Sequence, residues 1–316
     1  VLRGGTSSEY DASLKTGAMM LSALPEEKYE TRDIFIDKRG FWHLRGIPAE
    51  PSRILAQIDV VLNALHGGIG EDGTVQRILE RHGIAYAGSR PLAASLSHNK
   101  ARTMELAKEA GISVPKSMLF TLRRDATTAQ MARAVFQNFG PPYIVKPPLE
   151  GSSRGIMLAT TIIELPDVLG DVLDRFGTAL VQEFIPGENA RVGVIERFRG
   201  QELYALPPAH MLKPEGKSFI DEETRRAGLV RHVVPSRFSS DEKQALEFAA
   251  RAAHRALNLS HFSRSDFILS HGKAYLLEVT SLPGLYEGAA FPHMLEAVGS
   301  SVPEFLEHAI SLAREN

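Results

Sequence analysis

Residues 146–155 read Lys-Pro-Pro-Leu-Glu-Gly-Ser-Ser-Arg-Gly, and they separate two short apolar runs, Tyr143 to Lys146 and Ile156 to Ala159. Apolar runs of this length are typical of β-strands, so the sequence predicts a hairpin around a small-residue loop. Backbone N–H groups and hydroxyls of such a loop can close over phosphate oxygens, and Lys146 on the preceding strand offers them a positive charge. The alternative is a surface hairpin in which Gly and Ser only form the turn. The loop is not a Walker loop, because no Gly-Lys-Ser/Thr sequence opens a helix here.

A second polar pattern, Arg264-x-Asp266 and Glu278-x-Thr280, lies on two apolar runs that predict paired strands. Alternate residues of a strand share a face, so two carboxylates, a hydroxyl and a guanidinium can converge. Oxygen ligands of this kind suit Mg²⁺, which takes few protein carboxylates and completes its shell with phosphates and water. The alternative is a cross-strand salt bridge on a solvated face. The apolar flanks predict burial, and a buried acid needs a partner or a metal, so the pattern favours a metal site.

The order of the predicted elements indicates an α/β protein, and a chain of 316 residues is long enough for two or three packed units. In the first hundred residues strands alternate with helices, which predicts a parallel α/β unit. A helix over Asn99 to Ala110 ends at Gly111, and a second unit is expected to begin near it. The other predicted elements are strands at 33–37, 58–65, 179–182, 191–195, 266–269 and 274–279, helices from Asp11, from Gly73 and over 240–257, two short closing helices, and a long loop over 207–233.

Two glycine-containing loops, 4–9 and 66–73, each follow a predicted strand. Loops at the carboxyl ends of parallel strands commonly hold ligands, so Glu9 and His66 are candidate binding residues. Each has a structural alternative. A lone histidine is more often a hydrogen-bonding scaffold residue, and a glutamate in this position is more often a first-turn helix acid.

Composition excludes several classes of function. Basic and acidic residues number 36 and 38 and are mixed along the chain, which argues against a nucleic-acid-binding face. No apolar run approaches the length of a membrane span. The chain has no cysteine, which removes disulfides and thiolate chemistry and fits a reducing compartment. Small molecules are therefore the expected partners, and the first residues show no export pattern, so we expect a cytoplasmic protein.

The motifs in their order along the chain resemble the D-alanine:D-alanine ligase family from end to end. The matching stretches are Gly4-Gly5-Thr6-Ser7-x-Glu9, Leu65-His66-Gly67 with Gly70-Glu71-Asp72-Gly73, Lys100, Val145-Lys146-Pro147 with Glu150-Gly151-Ser152-Ser153-x-Gly155, Arg264-x-Asp266-Phe267, and Leu277-Glu278-Val279 with Pro283-Gly284. The resemblance implies an ATP-grasp fold preceded by a Rossmann-like parallel α/β domain. It implies an N-terminal substrate-binding domain over 1–95, a central subdomain over 96–183 and a C-terminal subdomain over 184–316.

By this resemblance the chain is an ATP-dependent ligase that joins two D-alanines through an acyl phosphate, for peptidoglycan precursors, with ATP and Mg²⁺ as cofactors. The site residues that it implies fall into four groups. They are Lys100, Lys146, Ser152, Ser153, Gly155, Glu183, Phe184, Ile185 and Glu188 for the nucleotide, Asp266, Glu278 and Thr280 for the metal, Arg264, Glu9, Ser153 and the N–H of Gly284 for catalysis, and Glu9, His66 and Leu282 for the amino acids. A homodimer is expected from the resemblance alone.

The sequence departs from the family pattern in ways that concern the second substrate. Thr280 replaces an asparagine metal ligand, and Leu282 replaces a serine expected to bind the second substrate's carboxylate. Asn189 stands at a ribose-binding glutamate position, which we expect the adjacent Glu188 to fill. The segment 211–228 lacks the family's usual Tyr and Lys arrangement. Two alternatives therefore stand beside D-alanine ligation, namely the same mechanism with another second substrate, and a non-catalytic ATP-binding relative.

Overall fold

The structure is a computed structural model that describes residues 1–122 and 126–315, the side chain of Arg226 excepted. Its strands are β1 Leu2–Gly4, β2 Ile34–Ile36, β3 Trp42–Leu44, β4 Ile47–Pro48, β5 Val60–Leu62, β6 Ala85–Ala87, β7 Ser117–Thr121, β8 Tyr143–Lys146, β9 Met157–Ala159, β10 Thr178–Glu183, β11 Glu188–Glu196, β12 Leu203–Ala205, β13 Ala209–Leu212, β14 Arg231–Val233, β15 Phe262–Ser270 and β16 Lys273–Thr280. Its α-helices are α1 Tyr10–Ala23, α2 Pro51–Leu55, α3 Thr74–Arg81, α4 Pro91–His98, α5 Lys100–Glu109, α6 Thr128–Asn138, α7 Leu165–Phe176, α8 Glu222–Arg226, α9 Ser240–Ala256, α10 Ala290–Glu296 and α11 Val302–Arg314.

The N-terminal unit is the predicted α/β unit with one addition. Strands β1 and β2 pair in parallel, as do β5 and β6, and a parallel bridge between Leu2 and Asn63 joins the two pairs. The antiparallel strands β3 and β4 extend β2 and were not predicted. Buried aliphatic side chains such as Ile34 and Leu79 form the core, because alternate residues of these strands face the helices.

The second unit is a four-stranded antiparallel sheet in the order β7-β10-β8-β9, with α6 and α7 packed on one face. In β8, Tyr143 and Val145 are fully buried in the core beneath these helices. Ile144 and Lys146 therefore point to the opposite face. This alternation fixes the side of the sheet on which Lys146 is available to a ligand.

The third unit is a six-stranded sheet in which β14, β13, β11, β15 and β16 follow one another and β12 pairs with β11. Helix α9 packs on one face, and a capping box between Ser239 and Glu242 fixes its first turn. Ala190, Val192 and Val194 of β11 join that core. Their neighbours Asn189 and Arg191 consequently point to the other face of the sheet.

Most predicted elements are confirmed, and the long loop predicted over 207–233 is wrong in part. That segment contains two strands and the one-turn helix α8. Strand β13 pairs with β11, and β14 pairs with β13. Elements of three to five residues are too short to show a repeating apolar pattern, so only the pairing reveals them. The last helix, Val302–Arg314, is also longer than predicted. Among the described residues no helix is both long and apolar enough to cross a bilayer.

Candidate active site

Two adjoining cavities lie between the facing sides of the two larger sheets and the N-terminal unit. The narrow cavity, of about 120 Å³, is walled mostly by apolar side chains, among them Ile144, Ile156, Phe184, Met211, Phe219 and Phe267. The wide cavity, of about 440 Å³, has a largely polar and charged lining. Lys100, Arg225 and Glu278 line both, so the cavities meet at these three side chains.

Two buried lysines stand where the cavities meet. The side chain of Asn99 caps α5 and so places Lys100 at the first residue of the helix. The Lys100 ammonium donates to the carbonyl of Glu150 at 2.6 Å and lies 3.1 Å from the Glu278 carboxylate. Burial, followed by the positive charge of Lys100, lowers the pKa of Lys146 to about 8. A bound polyanion would offset both effects, because an opposite charge favours the protonated lysine.

The polar pattern on the last two strands converges as predicted. Asp266 pairs with Glu278 across β15 and β16, and Arg264 pairs with Thr280. Burial raises the pKa of Glu278, but the charges of Lys100, Lys146 and Arg264 outweigh it and hold that pKa well below its usual range. Glu278 is therefore ionised. Asp266 is buried and Glu278 is half-buried in the cavity wall, and this placement does not fit a salt bridge on a solvated face.

Asp266 lies between two arginines. Arg264 donates to it through Nε at 2.7 Å, and Arg191 of β11 donates through Nε at 2.9 Å. Burial lowers the pKa of Arg191 to about 10, with Asp266 as the main opposing charge. Sequence reasoning missed Arg191, because it faces Asp266 only through the register of β11 with β15. Its polar identity within the apolar run 190–195 was the available signal.

Thr280 is engaged with the N-terminal unit. Its hydroxyl donates to Glu71 Oε1 at 2.5 Å, and it accepts the N–H of Leu282 at 3.2 Å. Glu71 is itself buried and accepts the N–H of Gly67 at 2.7 Å. The hydroxyl of Thr280 thus joins two units of the molecule.

The small-residue loop 150–155 is held from two sides. Ser152, Ser153 and Gly155 have φ values of +52°, +61° and +69°, a left-handed conformation found in anion-binding loops, and the N–H of Gly155 donates to the Glu222 carboxylate. The hydroxyl of Ser152 donates to Glu9 Oε1 at 2.5 Å, and Arg225 donates to the hydroxyl of Ser153 at 2.9 Å. The loop therefore links the N-terminal unit to the segment around α8.

His66 is buried beside the wide cavity and its ring Nε2 lies 2.8 Å from the hydroxyl of Thr16. Burial lowers its pKa, and the neighbouring acids Glu71 and Glu9 oppose that shift only partly. A histidine with a lowered pKa is neutral at pH 7. His66 can therefore hydrogen-bond a ligand but supplies no charge.

The remaining predicted residues divide into those that line a cavity and those that do not. Glu183, Phe184 and Ile185 line the narrow cavity, and Gly284 lines the wide one. Leu282 reaches the wide cavity, yet its side chain is 4% exposed and packs in a core with Phe262 and Leu62. Glu188, predicted to contact the ribose, does not line the narrow cavity. It lies on the opposite face of β11 with its carboxylate 3.1 Å from His210, whereas Asn189 lines the narrow cavity.

Two antiparallel sheets face each other across a cleft, with Lys146 on one sheet, the paired carboxylates on the other and Lys100 at the start of α5 beside them. These features define an ATP-dependent ligase of the ATP-grasp class. Comparison with known proteins narrows the class. The family model described as D-ala D-ala ligase C-terminus matches residues 106–311, and that described as D-ala D-ala ligase N-terminus matches residues 46–89. The chain belongs to the D-alanine–D-alanine ligase family.

Proteins of known name are similar to this chain over almost its whole length. It is 33% identical over 318 residues to a D-alanine–D-alanine ligase of Desulforudis audaxviator, covering 100% of this chain and 98% of the relative. Among solved structures it is similar to the VanG D-Ala:D-Ser ligase of Enterococcus faecalis, with a TM-score of 0.84, 26% identity and coverage of 99% and 98%. It is also similar to the D-alanine–D-alanine ligase of Bacillus anthracis complexed with ATP, with a TM-score of 0.79, 25% identity and coverage of 99% and 96%.

Proposed function

We propose that this enzyme joins two D-alanines into D-alanyl-D-alanine, with hydrolysis of ATP to ADP and phosphate. The observation that carries the proposal is the charged group at the junction of the cavities, in which Lys100, Glu278, Asp266 and Arg264 converge between a narrow apolar cavity and a wide polar one. Relatives named for this reaction match the chain over its full length. Such a dipeptide serves peptidoglycan precursors, and the lack of cysteine fits work in the cytoplasm.

The narrow cavity is proposed to hold the nucleotide. Its apolar walls suit a planar base, and the backbone at 183–185 forms one rim. Lys100 and Lys146 line this cavity and would contact the phosphates, and loop 150–155, which contributes Glu150 and Ser153 to the lining, would cover them. Asn189, rather than Glu188, faces the ribose side.

Mg²⁺ fits the carboxylates at the junction. Asp266 and Glu278 are cross-strand neighbours, and the pKa of Glu278 is held below its usual range. Two carboxylates plus phosphate oxygens are a usual Mg²⁺ set. No group of three or more acidic, histidine or cysteine residues fit to hold a metal occurs in residues 1–122 and 126–315. When bound, the ion would neutralise charge on the phosphates. We assign Thr280 to its hydrogen bond with Glu71 rather than to the metal.

The reaction proceeds in two displacements. A carboxylate oxygen of the first D-alanine attacks the γ-phosphorus of ATP, the bond to the β-phosphate oxygen breaks, and ADP leaves with the electron pair. The second D-alanine then attacks the acyl carbon as the free amine, the bond from the acyl carbon to the phosphate oxygen breaks with its electron pair going to phosphate, and the proton lost from the nitrogen goes to the departing phosphate. Arg264 and the N–H of Gly284, both on the wide cavity, would stabilise the tetrahedral oxyanion.

The wide cavity is polarised in a way that suits zwitterions. Glu9 and Glu71 line it from the N-terminal unit, and Arg191 and Arg264 line it from the six-stranded sheet. The ammonium group of the first D-alanine is expected beside Glu9, with neutral His66 as a hydrogen-bonding neighbour. Charge complementarity of this kind fixes the orientation of a small substrate.

A second candidate is the same chemistry with a different second amino acid or hydroxy acid. It is favoured by the structural relative named as a D-Ala:D-Ser ligase and by Tyr286, whose ring lies close against Gly284. The third candidate, a non-catalytic ATP-binding relative, is opposed by the retained group of buried charges, which is costly without a bound polyanion and metal. The boundaries 1–95, 96–183 and 184–316 and a homodimer remain predictions.

The test is ADP release by purified protein with ATP and Mg²⁺, comparing no amino acid, D-alanine, L-alanine, D-serine, and D-alanine with D-lactate. Release that depends on D-alanine alone, with D-alanyl-D-alanine as the product, is expected. Turnover only with a mixed pair would replace the proposal with the second candidate. ATP binding without amino-acid-dependent release would replace it with the third.

A further inference from the structure

The family resemblance predicts a contact to the second substrate's carboxylate at the position that Leu282 fills. Leu282 is apolar, and its side chain is 4% exposed and lies in a core with Phe262. Arg264 and the N–H of Gly284 are already proposed to act on the tetrahedral oxyanion. A carboxylate that leaves water for a cavity needs a hydrogen-bond donor, because an unpaired charge there is costly. Another donor on the wall of the wide cavity must therefore serve that carboxylate.

Arg191 of β11 lines the wide cavity and has donors to spare. The residue is 4% exposed, and its Nε donates to Asp266 at 2.9 Å. A guanidinium carries four further N–H groups on its two Nη atoms. Within residues 1–122 and 126–315, neither Nη atom of Arg191 makes a hydrogen bond. Buried polar groups are almost always hydrogen-bonded, so unused donors on a cavity wall indicate a ligand.

The strand register places Arg191 beside the group proposed to hold the oxyanion. Arg191 lies opposite Asp266 across β11 and β15, and Gly193, two residues along, lies opposite Arg264. Arg191 donates to Oδ2 of Asp266 and Arg264 donates to Oδ1, so the two guanidinium groups flank one carboxylate. In an amino acid a single carbon separates the amine from the carboxylate. A second substrate whose amine attacks the acyl carbon near Arg264 therefore brings its carboxylate close to Arg191.

The wall that faces Arg191 has small side chains. A Cβ at Gly193 would lie 2.8 Å from the ring of Phe291, so this face of β11 packs against the start of α10. Ala289 and Ala290, which precede and open that helix, line the wide cavity together with Arg191. Their methyl groups leave room for a small substrate between the helix and the strand. A substrate in this space would meet the guanidinium of Arg191 as a polar contact.

The charges around Arg191 favour an added anion. Burial, and then the repelling charges of Arg264 and Arg225, lower the pKa of Arg191 to about 10 against the attraction of Asp266. A second carboxylate on the Nη atoms would oppose both effects, because an opposite charge favours the protonated guanidinium. The electrostatics of this wall therefore suit an acidic group of a ligand and disfavour an amine.

We propose that Arg191 binds the carboxylate of the second substrate through its two Nη atoms and so orients the attacking amine, an inference that rests on the proposed ligase function. The planar fork of a guanidinium matches both oxygens of a carboxylate, whereas a lysine ammonium offers a single charged point. D-Alanine and D-serine carry the same carboxylate, so the assignment is the same for either second substrate. Arg191 stays protonated throughout, because no bond forms or breaks at it.

The alternative is that Arg191 serves only to neutralise Asp266. In that case its removal weakens every second substrate alike, because Asp266 belongs to the site of acyl activation. A residue that binds the carboxylate instead discriminates between second substrates that have this group and those that lack it. D-Alaninamide is a suitable probe, since it keeps the amine and replaces the carboxylate with a neutral amide.

The experiment offers D-alanine and D-alaninamide together, at known concentrations, to wild type, Arg191→Gln and Arg191→Lys with ATP and Mg²⁺. Both amines compete for one acyl phosphate, so the ratio of D-alanyl-D-alanine to D-alanyl-D-alaninamide, measured by mass spectrometry, gives their relative kcat/KM. We expect wild type to favour D-alanine by about 100-fold and Arg191→Gln to lower that preference by about tenfold or more. Arg191→Lys should fall between them. Lys15→Gln, which removes an exposed cation of α1 from the same cavity, should keep the wild-type ratio.

An equal product ratio in wild type and both Arg191 variants would establish the alternative and overturn the proposal. Wild type that uses D-alaninamide as readily as D-alanine would overturn it as well. The ratio does not depend on the amount of folded enzyme, so partial misfolding cannot imitate the expected result. If Arg191→Gln makes no product, Arg191→Lys decides, and if D-serine is the second substrate, D-serine and D-serinamide replace the pair.

Trapping of the acyl phosphate by hydroxylamine tests the ligase function separately from the function of Arg191. Wild type that forms D-alanyl hydroxamate, with a product ratio unchanged by substitution of Arg191, would overturn the inference and leave the ligase function standing. Wild type that forms no hydroxamate and releases no ADP with any amino acid would overturn the ligase function, and the inference would fall with it.

Discussion

At the scale of single residues, one hydrogen bond joins the N-terminal unit to the catalytic sheet. Thr280 donates to Glu71, whose carboxylate also holds the N–H of Gly67 next to His66. A hydroxyl and a buried carboxylate form a short bond of the charge-assisted kind, which is about twice as strong as a neutral one. Thr280 therefore couples the strand that carries Glu278 to the loop that carries His66.

Replacement of Thr280 by Val should lower stability without changing the metal requirement. The buried Glu71 carboxylate would lose a donor, which costs about 1–3 kcal/mol in the free energy of unfolding. The Mg²⁺ concentration for half-maximal ADP release should stay within about twofold, because Asp266 and Glu278 remain. Denaturant unfolding and a Mg²⁺ titration measure the two effects, with Thr280→Ser as the control that keeps the hydroxyl. A strongly raised Mg²⁺ requirement in Thr280→Val but not in Thr280→Ser would show that Thr280 is a metal ligand.

Replacement of Leu282 by Ser should cost stability and bring no gain in affinity for the second substrate. The Leu282 side chain packs beside Phe262 and Leu62 in the core shared by the N-terminal unit and α11. Truncating a buried leucine costs about 2–5 kcal/mol, and the hydroxyl would be buried among apolar groups. Thermal unfolding and the KM for the second D-alanine measure the outcome, with Leu282→Met as the volume-conserving control. A lower KM in Leu282→Ser would show that the position does contact the second substrate.

The residues that sequence reasoning found and those that it missed differ for a physical reason. Asp266 and Glu278 lie in a local alternating pattern. Because alternate residues of a strand share a face, this pattern can be recognised in the sequence. Arg191 acquires its function only through pairing with a strand 75 residues away, and no local pattern encodes that register. Asn189 and Glu188 show this limit of sequence-based prediction most clearly, because neighbouring residues of a strand point to opposite faces of the sheet.

At the scale of elements, the sequence predicted long elements well and short ones poorly. Helix α9 follows its predicted bounds within one residue, because its apolar period repeats over several turns. Strands β13 and β14 have only three or four residues and are specified by pairing with β11 and with each other. Met211 of β13 lines the narrow cavity and His232 of β14 lines the wide one, so part of the site was beyond sequence reasoning for the same reason.

The start of β15 is tied to the end of β6 by a histidine, and this link should make stability depend on pH. His261 Nδ1 accepts the N–H of Gly88 at 3.0 Å, which requires a neutral ring. Burial lowers the pKa of His261, and the charges of Arg197, His254 and His308 lower it further. The Glu196 carboxylate opposes these effects, but the net shift is downward. Below about pH 6.5 the unfolded chain therefore binds a proton that the folded chain does not, so the free energy of unfolding falls as the pH falls.

The variant that tests the link is His261→Asn, which keeps an acceptor and tolerates the left-handed φ of +66° at this position. Denaturant unfolding at pH 7.5 and 5.5 gives the fall in the free energy of unfolding between the two pH values. We expect this fall to be smaller in the variant than in wild type by about 1 kcal/mol. His66 shares the same direction of shift and remains in both proteins, so some dependence persists. Identical pH dependence in the two proteins would remove His261 as its source.

At the scale of the whole molecule, the units are interlocked and do not follow one another as separate bodies. Helix α11 at the end of the chain packs on β6 and α1 of the N-terminal unit. Helix α5, which precedes the four-stranded sheet, packs on β16 and α9 of the six-stranded sheet. Lys100 and Glu278 are consequently held in one rigid neighbourhood, and loop 150–155 closes over it from the second unit. The closing contacts, Ser152 to Glu9 and Ser153 to Arg225, are therefore the contacts that complete the site.

Gly151→Ala tests that closure. A Cβ at Gly151 would lie 2.3 Å from Glu9 Oε2, so the carboxylate must move and its bond with Ser152 would be lost. We expect the KM for the first D-alanine to rise by about tenfold, because Glu9 is proposed to hold its ammonium group. Amide hydrogen exchange should quicken at 150–155 and at 218–228 together, since the two segments are fastened to each other. Gly140→Ala is the matched control, because no atom lies within 4 Å of its added Cβ. Faster exchange at 150–155 without any change at 218–228 would show that the two segments close independently. An unchanged KM would show that Glu9 does not bind the ammonium group of the first D-alanine.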